Sequence, residues 1–390
     1  MRYIKDYAEN IIRDYRGAEP LAQYLKNYFR LYPKLGSRDR KMISDMAYSW
    51  YRCSKAITGT ESTNNEVESK LQACILLCSA NDRVMQTFLP ADWKPYSTKS
   101  IEERVALLSK SNFKIDTGLL APFDSTLSEG IGRREWLNSM WIQPRLFIRI
   151  RKEKDKITDI LNDNNIPFVH FSDNCLSLPN GAAIDKLLPQ DAYVVQDASS
   201  QKTGTYFNPK DKEVWYDCCA GAGGKSLLLK DMEQNVLLTV SDKRENILHN
   251  LKNRFSQYHI EPPEVIITDV SDAGLLAKQI DGRSFDGIIC DVPCSGSGTW
   301  ARNPEELYYF NKKKIRELPA LQTQIACNAV GYLKDSGRII YITCSVFKEE
   351  NEDVVNEIAK QTGLTIEHLQ IINGIDDKAD SMFVAVLRKL

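Results

Sequence analysis

What this chain lacks narrows its chemistry before any motif is read. No apolar run approaches the roughly 20 residues that span a bilayer. The opening Met1-Arg2-Tyr3-Ile4-Lys5-Asp6 has neither the apolar core nor the cleavage site of a signal peptide. A cytoplasmic protein with no membrane partner is expected. Paired CxxC spacing is absent, and the four histidines (His170, His249, His259, His368) do not cluster with the ten cysteines. No zinc pattern is left, and no metal is expected. A formal net charge of −1 offers no global basic excess to announce a nucleic acid. Internal repeats and long low-complexity tracts are missing too, which excludes a repeat architecture.

What remains is a chain of 390 residues, 43% of them hydrophobic, long enough for two or three domains with their own cores. In a reducing compartment the cysteines are free thiols, and most of them suit small core positions. Local basic candidates are Arg145, Arg149, Arg151, Lys152, Lys154 and Lys156, then Lys312, Lys313, Lys314 and Arg316. On charge alone these read as solvated helix faces, although RNA binding needs only a patch.

Residues 1–130 read as a helical domain. Leu21, Tyr24, Leu25, Tyr28 and Phe29 follow the stripe of a buried helix face, as do Leu71, Cys74, Ile75 and Cys78. Ser37 is placed to cap a helix starting at Arg38, and Thr58–Asn65 reads as a polar loop. Residues 137–205 read as a small α+β module. Its strand candidates are Leu146–Ile150 and Phe168–Phe171, with a helix over Lys154–Asn162, and Ala192–Asp197 leads into the last part. From 206 to 390 strands and helices alternate: strands at Val214–Cys218, Val236–Ser241, Val265–Thr268, Gly287–Cys290 and Arg338–Thr343, helices at Glu245–Tyr258 and Ile315–Tyr332. That alternation predicts an α/β fold, an open and largely parallel sheet with helices on both faces, closed by the strand Phe383–Leu387.

Ligands of such sheets bind outside the carboxyl ends of the strands, where strand order reverses. The turn Asp217-Cys218-Cys219-Ala220-Gly221-Ala222-Gly223-Gly224-Lys225-Ser226 leaves the first strand there. Its glycines allow close backbone approach. Asp242 ends the second strand, where a carboxylate can hold ribose hydroxyls, and Asp269 follows the third, where it can accept from an adenine amino group. A nucleoside cofactor is indicated. A P-loop NTPase would need GxxxxGK[ST]; Gly224-Lys225-Ser226 supplies its end, but Cys219 stands at its first glycine. A dinucleotide turn would need a glycine where Ser226 stands. S-adenosyl-L-methionine needs no pyrophosphate cradle and tolerates this turn.

Two thiols are predicted at neighbouring strand ends. Asp291-Val292-Pro293-Cys294 resembles the strand-end motif of nucleobase methyltransferases, with a thiol where amino-group methylators favour an aromatic. Cys344 follows Arg338–Thr343. Thiols suit methylation at carbon: carbon 5 of cytosine is a poor nucleophile until a thiolate adds to carbon 6. A base must then remove the carbon-5 proton. Asp291, when protonated or sharing a proton, can stabilise ring N3 during addition, and Lys225 can lower a thiol pKa or orient the base. DNA cytosine-5 enzymes use the Pro-Cys thiol for attack, which would select Cys294, so the motifs alone do not rank the pair.

These residues resemble the Fmu/Sun (Nol/Nop/Sun) family of RNA cytosine-5 methyltransferases over about residues 137–390. The resemblance rests on Val195–Gln201, the glycine turn, Asp291–Gly298 with Thr299 and Arg302-Asn303-Pro304, Thr343-Cys344-Ser345 with Glu349-Glu350-Asn351-Glu352, and the closing strand. The segment Leu35–Arg40 resembles the NusB-like domain of the bacterial ribosomal-RNA members. The resemblance implies a Rossmann-like S-adenosylmethionine-dependent methyltransferase fold acting on RNA, ribosomal rather than transfer. It implies Cys344 as nucleophile and Cys294 as the group assisting product release. It implies a cofactor pocket lined by Cys219, Ala220, Gly221, Ala222, Gly223, Gly224, Lys225, Asp242, Asp269 and Asp291, with Lys225 and Asp291 also facing the base. Arg145, Arg149, Arg151 and Arg302 are candidate phosphate contacts. Departures are Gly221-Ala222 for a usual Ala-Pro, which loosens the loop, Ala301 for Arg, and Ser381-Met382 for Gly-Phe. The competing readings are a catalytically idle RNA-binding assembly factor and the NTPase.

Overall fold

The computed structural model describes residues 2–59, 66–280 and 282–390, so the predicted loop lies outside the described residues from Thr60 to Asn65. By its contacts the chain forms two units. The first comprises Met1–Asp124, Gly132–Gln143 and Thr299–Asn311. It holds the helices α1 (Arg2–Asp14), α2 (Leu21–Leu31), α3 (Ser37–Cys53), α4 (Glu66–Cys78), α5 (Asp82–Phe88), α6 (Ile101–Lys110) and α7 (Arg133–Ser139). A short antiparallel pair joins β1 (Ile57–Thr58) to β2 (Lys114–Ile115). The apolar stripes are buried as their spacing predicts: Leu21, Leu25, Tyr28 and Phe29 in α2, and Leu71, Cys74 and Ile75 in α4. Ser37 does not cap α3. It is the first helical residue, and the extended Gly36 before it is the N-cap, its carbonyl accepting from Arg40 N at 3.0 Å.

Thr299–Asn311 follows the Asp291–Gly298 motif along the chain yet packs among these helices. The indole of Trp300 lies 5.7 Å from Trp136 and 4.8 Å from the ring of Phe310. The buried guanidinium of Arg52 donates to the carbonyls of Met140 (2.8 Å) and Ala301 (2.6 Å).

The second unit comprises Ser125–Ile131, Pro144–Gly298 and Lys312–Leu390. It begins with a four-stranded antiparallel sheet: β3 (Leu146–Ile150), β4 (Val169–Ser172), β5 (Cys175–Leu178) and β6 (Tyr193–Val195), in the order β4-β5-β3-β6, with α8 (Lys154–Asp163). Ile148, Ile150, Leu176, Leu178 and Tyr193 bury one face with Ile157 and Leu161 of α8. Four residues with two leucines gave β5 no pattern of its own; pairing with β3 makes it a strand.

After α9 (Ala198–Lys202) the main sheet follows, with β7 (Val214–Asp217), α10 (Gly224–Met232), β8 (Leu237–Asp242), α11 (Glu245–Gln257), β9 (Glu264–Ile267), α12 (Ala273–Ile280) and β10 (Phe285–Asp291). Beyond the short helix α13 (Pro304–Tyr308), which packs in the first unit, come α14 (Lys314–Val330), β11 (Leu333–Thr343), α15 (Glu352–Thr362), β12 (Thr365–Ile372) and β13 (Met382–Arg388). The seven strands run β12-β13-β11-β10-β7-β8-β9. β7 to β11 pair in parallel, while β13 is antiparallel to both neighbours. The order reverses beside β7, so the carboxyl ends of β7 and β10 form the crevice where a ligand is expected.

Two of the candidate phosphate contacts prove to be structural. Arg149 Nη1 reaches Asp231 Oδ2 at 2.6 Å, and Arg151 Nη2 reaches Asp231 Oδ1 at 2.8 Å, all three side chains being largely buried. Arg149 Nε also donates to Gln196 Oε1 at 3.0 Å. These guanidinium groups bind the small sheet to the end of α10 through Asp231. Replacing Asp231 with Ala strands two enclosed cations, so Asp231→Ala is expected to destabilise the protein by about 3 kcal/mol in urea unfolding; an unchanged midpoint would contradict this account.

Candidate active site

The site is built on five strand ends. β7 runs into the loop 218–223, whose backbone is tied at Ala220 N to Ser241 O (2.9 Å) and at Gly223 N to Ala220 O (2.8 Å). Gly223 has φ +79° and a side chain there would press on Leu251, so both conformation and space demand glycine. A Cβ on Gly224 would meet nothing within 4 Å. One side of the loop thus packs on α11 while another stays open.

All of the five but β11 carry an aspartate at or just beyond their ends. Asp242 Oδ2 accepts from Gly221 N at 3.1 Å, and both its oxygens accept from the Arg244 side chain at 2.9 Å. Burial works against its charge, but the Arg244 bonds hold the carboxyl below its usual range. Asp269 is likewise held low, chiefly by the Ser271 hydroxyl at 2.6 Å. Asp291 Oδ2 pairs with Lys225 Nζ at 3.2 Å, and Lys225, itself buried, also donates to Ser200 Oγ at 2.8 Å. Lys225 therefore bridges the glycine loop to the strand end that carries Asp291.

Asp217 is the exception. It is fully buried, Oδ2 accepts from Ser226 Oγ at 2.5 Å, and Oδ1 has no hydrogen-bond partner among the described residues. Burial pushes its pKa up to about 7.

The two thiols meet. Cys294 Sγ lies 3.1 Å from Cys344 Sγ. The cause is register: β10 and β11 are parallel neighbours with Asp291 opposite Ile342. Three residues beyond one partner and two beyond the other, the chains are level. The loops are then locked together. Glu350, fully buried, accepts from Ser295 N (2.8 Å), Gln322 Nε2 (2.9 Å) and Ser345 Oγ (2.8 Å). Gly298 N donates to Cys344 O and Gly298 O accepts from Ser381 N, both at 2.9 Å. A side chain at Gly298 would collide with the Ser381 carbonyl. Ser381, one of the departures, fits: its hydroxyl accepts from Gly374 N at 3.2 Å. The Cys294 thiol is pushed well above its ordinary range, first by its hydrogen bond to Cys344, then by burial and the Glu350 carboxylate. Cys218 and Cys290 are buried core thiols, in keeping with their expected packing role.

The structure thus brings together Cys294 with Cys344, Lys225 with Asp291, and the Gly221 amide with Asp242. Asp269 stands apart from these contacts, at the end of β9. Ser200, Asp217 and Glu350 carry site geometry that motif reading did not single out. The first two sit inside the quoted stretches Val195–Gln201 and Asp217–Ser226, and Glu350 inside the Glu-Glu-Asn run. A buried acid looks like any other acid until its partners are seen. Among the described residues no group of three or more His, Cys, Asp or Glu is placed to hold a metal ion, and no helix is long and apolar enough to cross a membrane.

Sheet order, glycine loop and strand-end acids together define the Rossmann-like methyltransferase fold. A solved structure described as PH0851 matches 99% of this chain and 97% of its own, with TM-score 0.70 and 17% identity. The structure of NSun6 from Pyrococcus horikoshii with SFG covers 63% of this chain and 91% of its own, with TM-score 0.55 and 16% identity. Residues 204–386 match the family described as 16S rRNA methyltransferase RsmB/F. Ribosomal RNA small subunit methyltransferase B of Shewanella oneidensis is 29% identical over 226 residues, 57% of this chain and 51% of that protein. The chain spans about half the length of the curated relatives it matches.

Asp217 makes stability depend on pH. Its folded pKa of about 7 exceeds its ordinary 3.8, so the folded state binds the extra proton between these values. Its contribution is full below the lower value and is lost as pH rises towards the upper one, at about 1.4 kcal/mol per pH unit. Asp217→Asn should flatten the stability profile across that window in urea titrations; a profile as steep as the wild type would refute the assignment.

Proposed function

We propose that this protein is an S-adenosylmethionine-dependent RNA cytosine-5 methyltransferase acting on ribosomal RNA in the cytoplasm. The observation that carries the reading is the contact of two thiols, Cys294 and Cys344, beside an open glycine loop. The family match over residues 204–386 and the relatives named for ribosomal RNA support the substrate class. The neighbour solved with SFG, a cofactor analogue, supports the cofactor.

The residues present fit that cofactor. The loop Cys219, Ala220, Gly221, Ala222, Gly223 and Gly224 offers backbone with open space at Gly224, and aspartates at successive strand ends suit a nucleoside bearing a cationic sulfonium. Asp242 would take the ribose, exchanging part of its Arg244 contact, and Asp269 the base. When bound, S-adenosylmethionine supplies an electrophilic methyl group.

In this reading Cys344, as thiolate, adds to carbon 6 of a cytosine that is unstacked, since stacking hides both ring faces. The ring electron pair would move to carbon 5, making it the nucleophile toward the methyl group that the bound cofactor would supply, the methyl–sulfur bond breaking to leave a neutral thioether. A proton shared between Lys225 and Asp291 would be donated by the Asp291 carboxyl to ring N3 as negative charge develops there. Transfer of the carbon-5 proton to solvent acting as base would then expel Cys344 as thiolate. Cys294, touching the departing sulfur, assists that release. Its raised pKa keeps a proton on one of the two sulfurs when the other ionises. The helical residues 1–130 and the small module 137–205 would bind RNA, with Arg145 and Arg302 still candidates for phosphate.

An NTPase is disfavoured because Lys225 is buried against Asp291 and Ser200 instead of facing an open loop. An idle assembly factor would have no use for paired thiols. Cys294→Ala should accumulate a covalent RNA adduct on denaturing gels, whereas Cys344→Ala should form none and transfer no labelled methyl group. The opposite pattern would exchange the two roles, and no transfer to cytosine in any RNA would favour the idle factor.

A further inference from the structure

The segment Ser125–Ile131 belongs by its contacts to the second unit and is fastened there residue by residue. Lys348 N donates to Thr126 O, Ser128 N to Val346 O, and Thr126 N to Glu349 Oε1, each at 2.9 Å. Leu127 forms an antiparallel bridge with Phe347. The strap therefore lies along the loop that directly follows Cys344.

Its central side chain is Ser128, 2% exposed. The hydroxyl donates to Glu352 Oε2 at 2.8 Å and accepts from Asn351 Nδ2 at 2.8 Å. Asn351 is fully buried. Its Nδ2 also donates to Ser345 O at 3.0 Å, and its Oδ1 accepts from Thr343 Oγ1 at 2.6 Å. One amide thus grips the residues on both sides of Cys344, and Ser128 grips that amide. The backbone bonds and the bridge already hold the strap in place. The buried polar chain adds direction: turning the amide over would set its oxygen against the Ser345 carbonyl and force the Ser128 and Thr343 hydroxyls to exchange their roles.

We propose that Ser125–Ile131 is part of the active site, with Ser128 a positioning residue that acts through Asn351 to fix the direction in which the Cys344 sulfur faces the pyrimidine. The inference rests on Cys344 being the nucleophile of the proposed reaction. It makes a segment outside residues 204–386 a determinant of turnover.

The test compares Ser128→Ala and Ser128→Thr in the full chain. Methyl transfer to RNA is measured in single turnovers, and S-adenosylmethionine binding by calorimetry. The pH profile of Cys344 alkylation by iodoacetamide, read by peptide mass spectrometry without RNA, is the third measurement. Ser128→Ala should slow transfer about tenfold, the factor corresponding to one hydrogen bond, and shift the alkylation profile, with cofactor affinity unchanged. Ser128→Thr should restore both. Unchanged transfer and alkylation in Ser128→Ala would overturn the proposal. So would a loss of transfer matched by a loss of cofactor binding, which would mean general loosening. Should Ser128→Ala fail to fold, Asn351→Asp must show the same alkylation shift. A wild type that methylates no RNA would defeat the functional reading, while the alkylation profile would still decide the positioning role.

Discussion

The side-by-side pairing of β10 with β11 is the constraint on which the site depends. A parallel pair in fixed register delivers the residues beyond its ends to one level, and here those residues are Cys294 and Cys344. A slip of one residue would turn one strand's side chains to the opposite face and part the thiols. Both strands are buried on both faces, with Ile288, Ile289, Ile339 and Ile340 fully enclosed, so a slip would also expose apolar surface. The chemistry is thus protected by the hydrophobic core, which penalises every alternative register.

The cofactor side rests on a different device. Its loop is held by backbone bonds to Ser241 and to Asp242, which leaves the glycines free to present bare backbone. The Gly221-Ala222 departure therefore does not leave the loop unheld. Gly221 takes φ +51°, a conformation glycine adopts without strain, while its amide is fastened to Asp242. Lys225 then carries this order across to β10, so that the group donor's cradle and the thiol loops share one ion pair.

Much of this was legible in the residues. The parallel strands of the main sheet announced themselves as apolar runs closed by Asp or Thr, and Leu146–Ile150 was delimited to the residue. The glycine turn and both Cys motifs stood out because few folds need such residues in such order. What stayed hidden has physical causes. β12 alternates exposed and half-buried residues and carries Glu367 and His368, so its sequence looks like loop until β13 pairs with it. Arg149 and Arg151 looked like a basic patch because sequence cannot show Asp231, eighty residues away along the chain, closing on them. Thr299–Asn311 reads as part of the catalytic stretch because it follows a catalytic motif, but Trp300 finds its apolar partners among helices. Long-range partners, more than local pattern, decided each of these.

Gly298 shows what such tight convergence entails. Three separate stretches of backbone cross at one α-carbon, and the hydrogen there is the largest substituent the crossing admits. Variation elsewhere in these loops can be absorbed by rotating a side chain or shifting a turn. At this crossing a single added methyl has nowhere to go except into the chain carrying Cys344 or the one carrying Ser381. The position acts as a gauge block: it fixes the spacing of the loops that carry Cys344 and Ser381 by its own smallness.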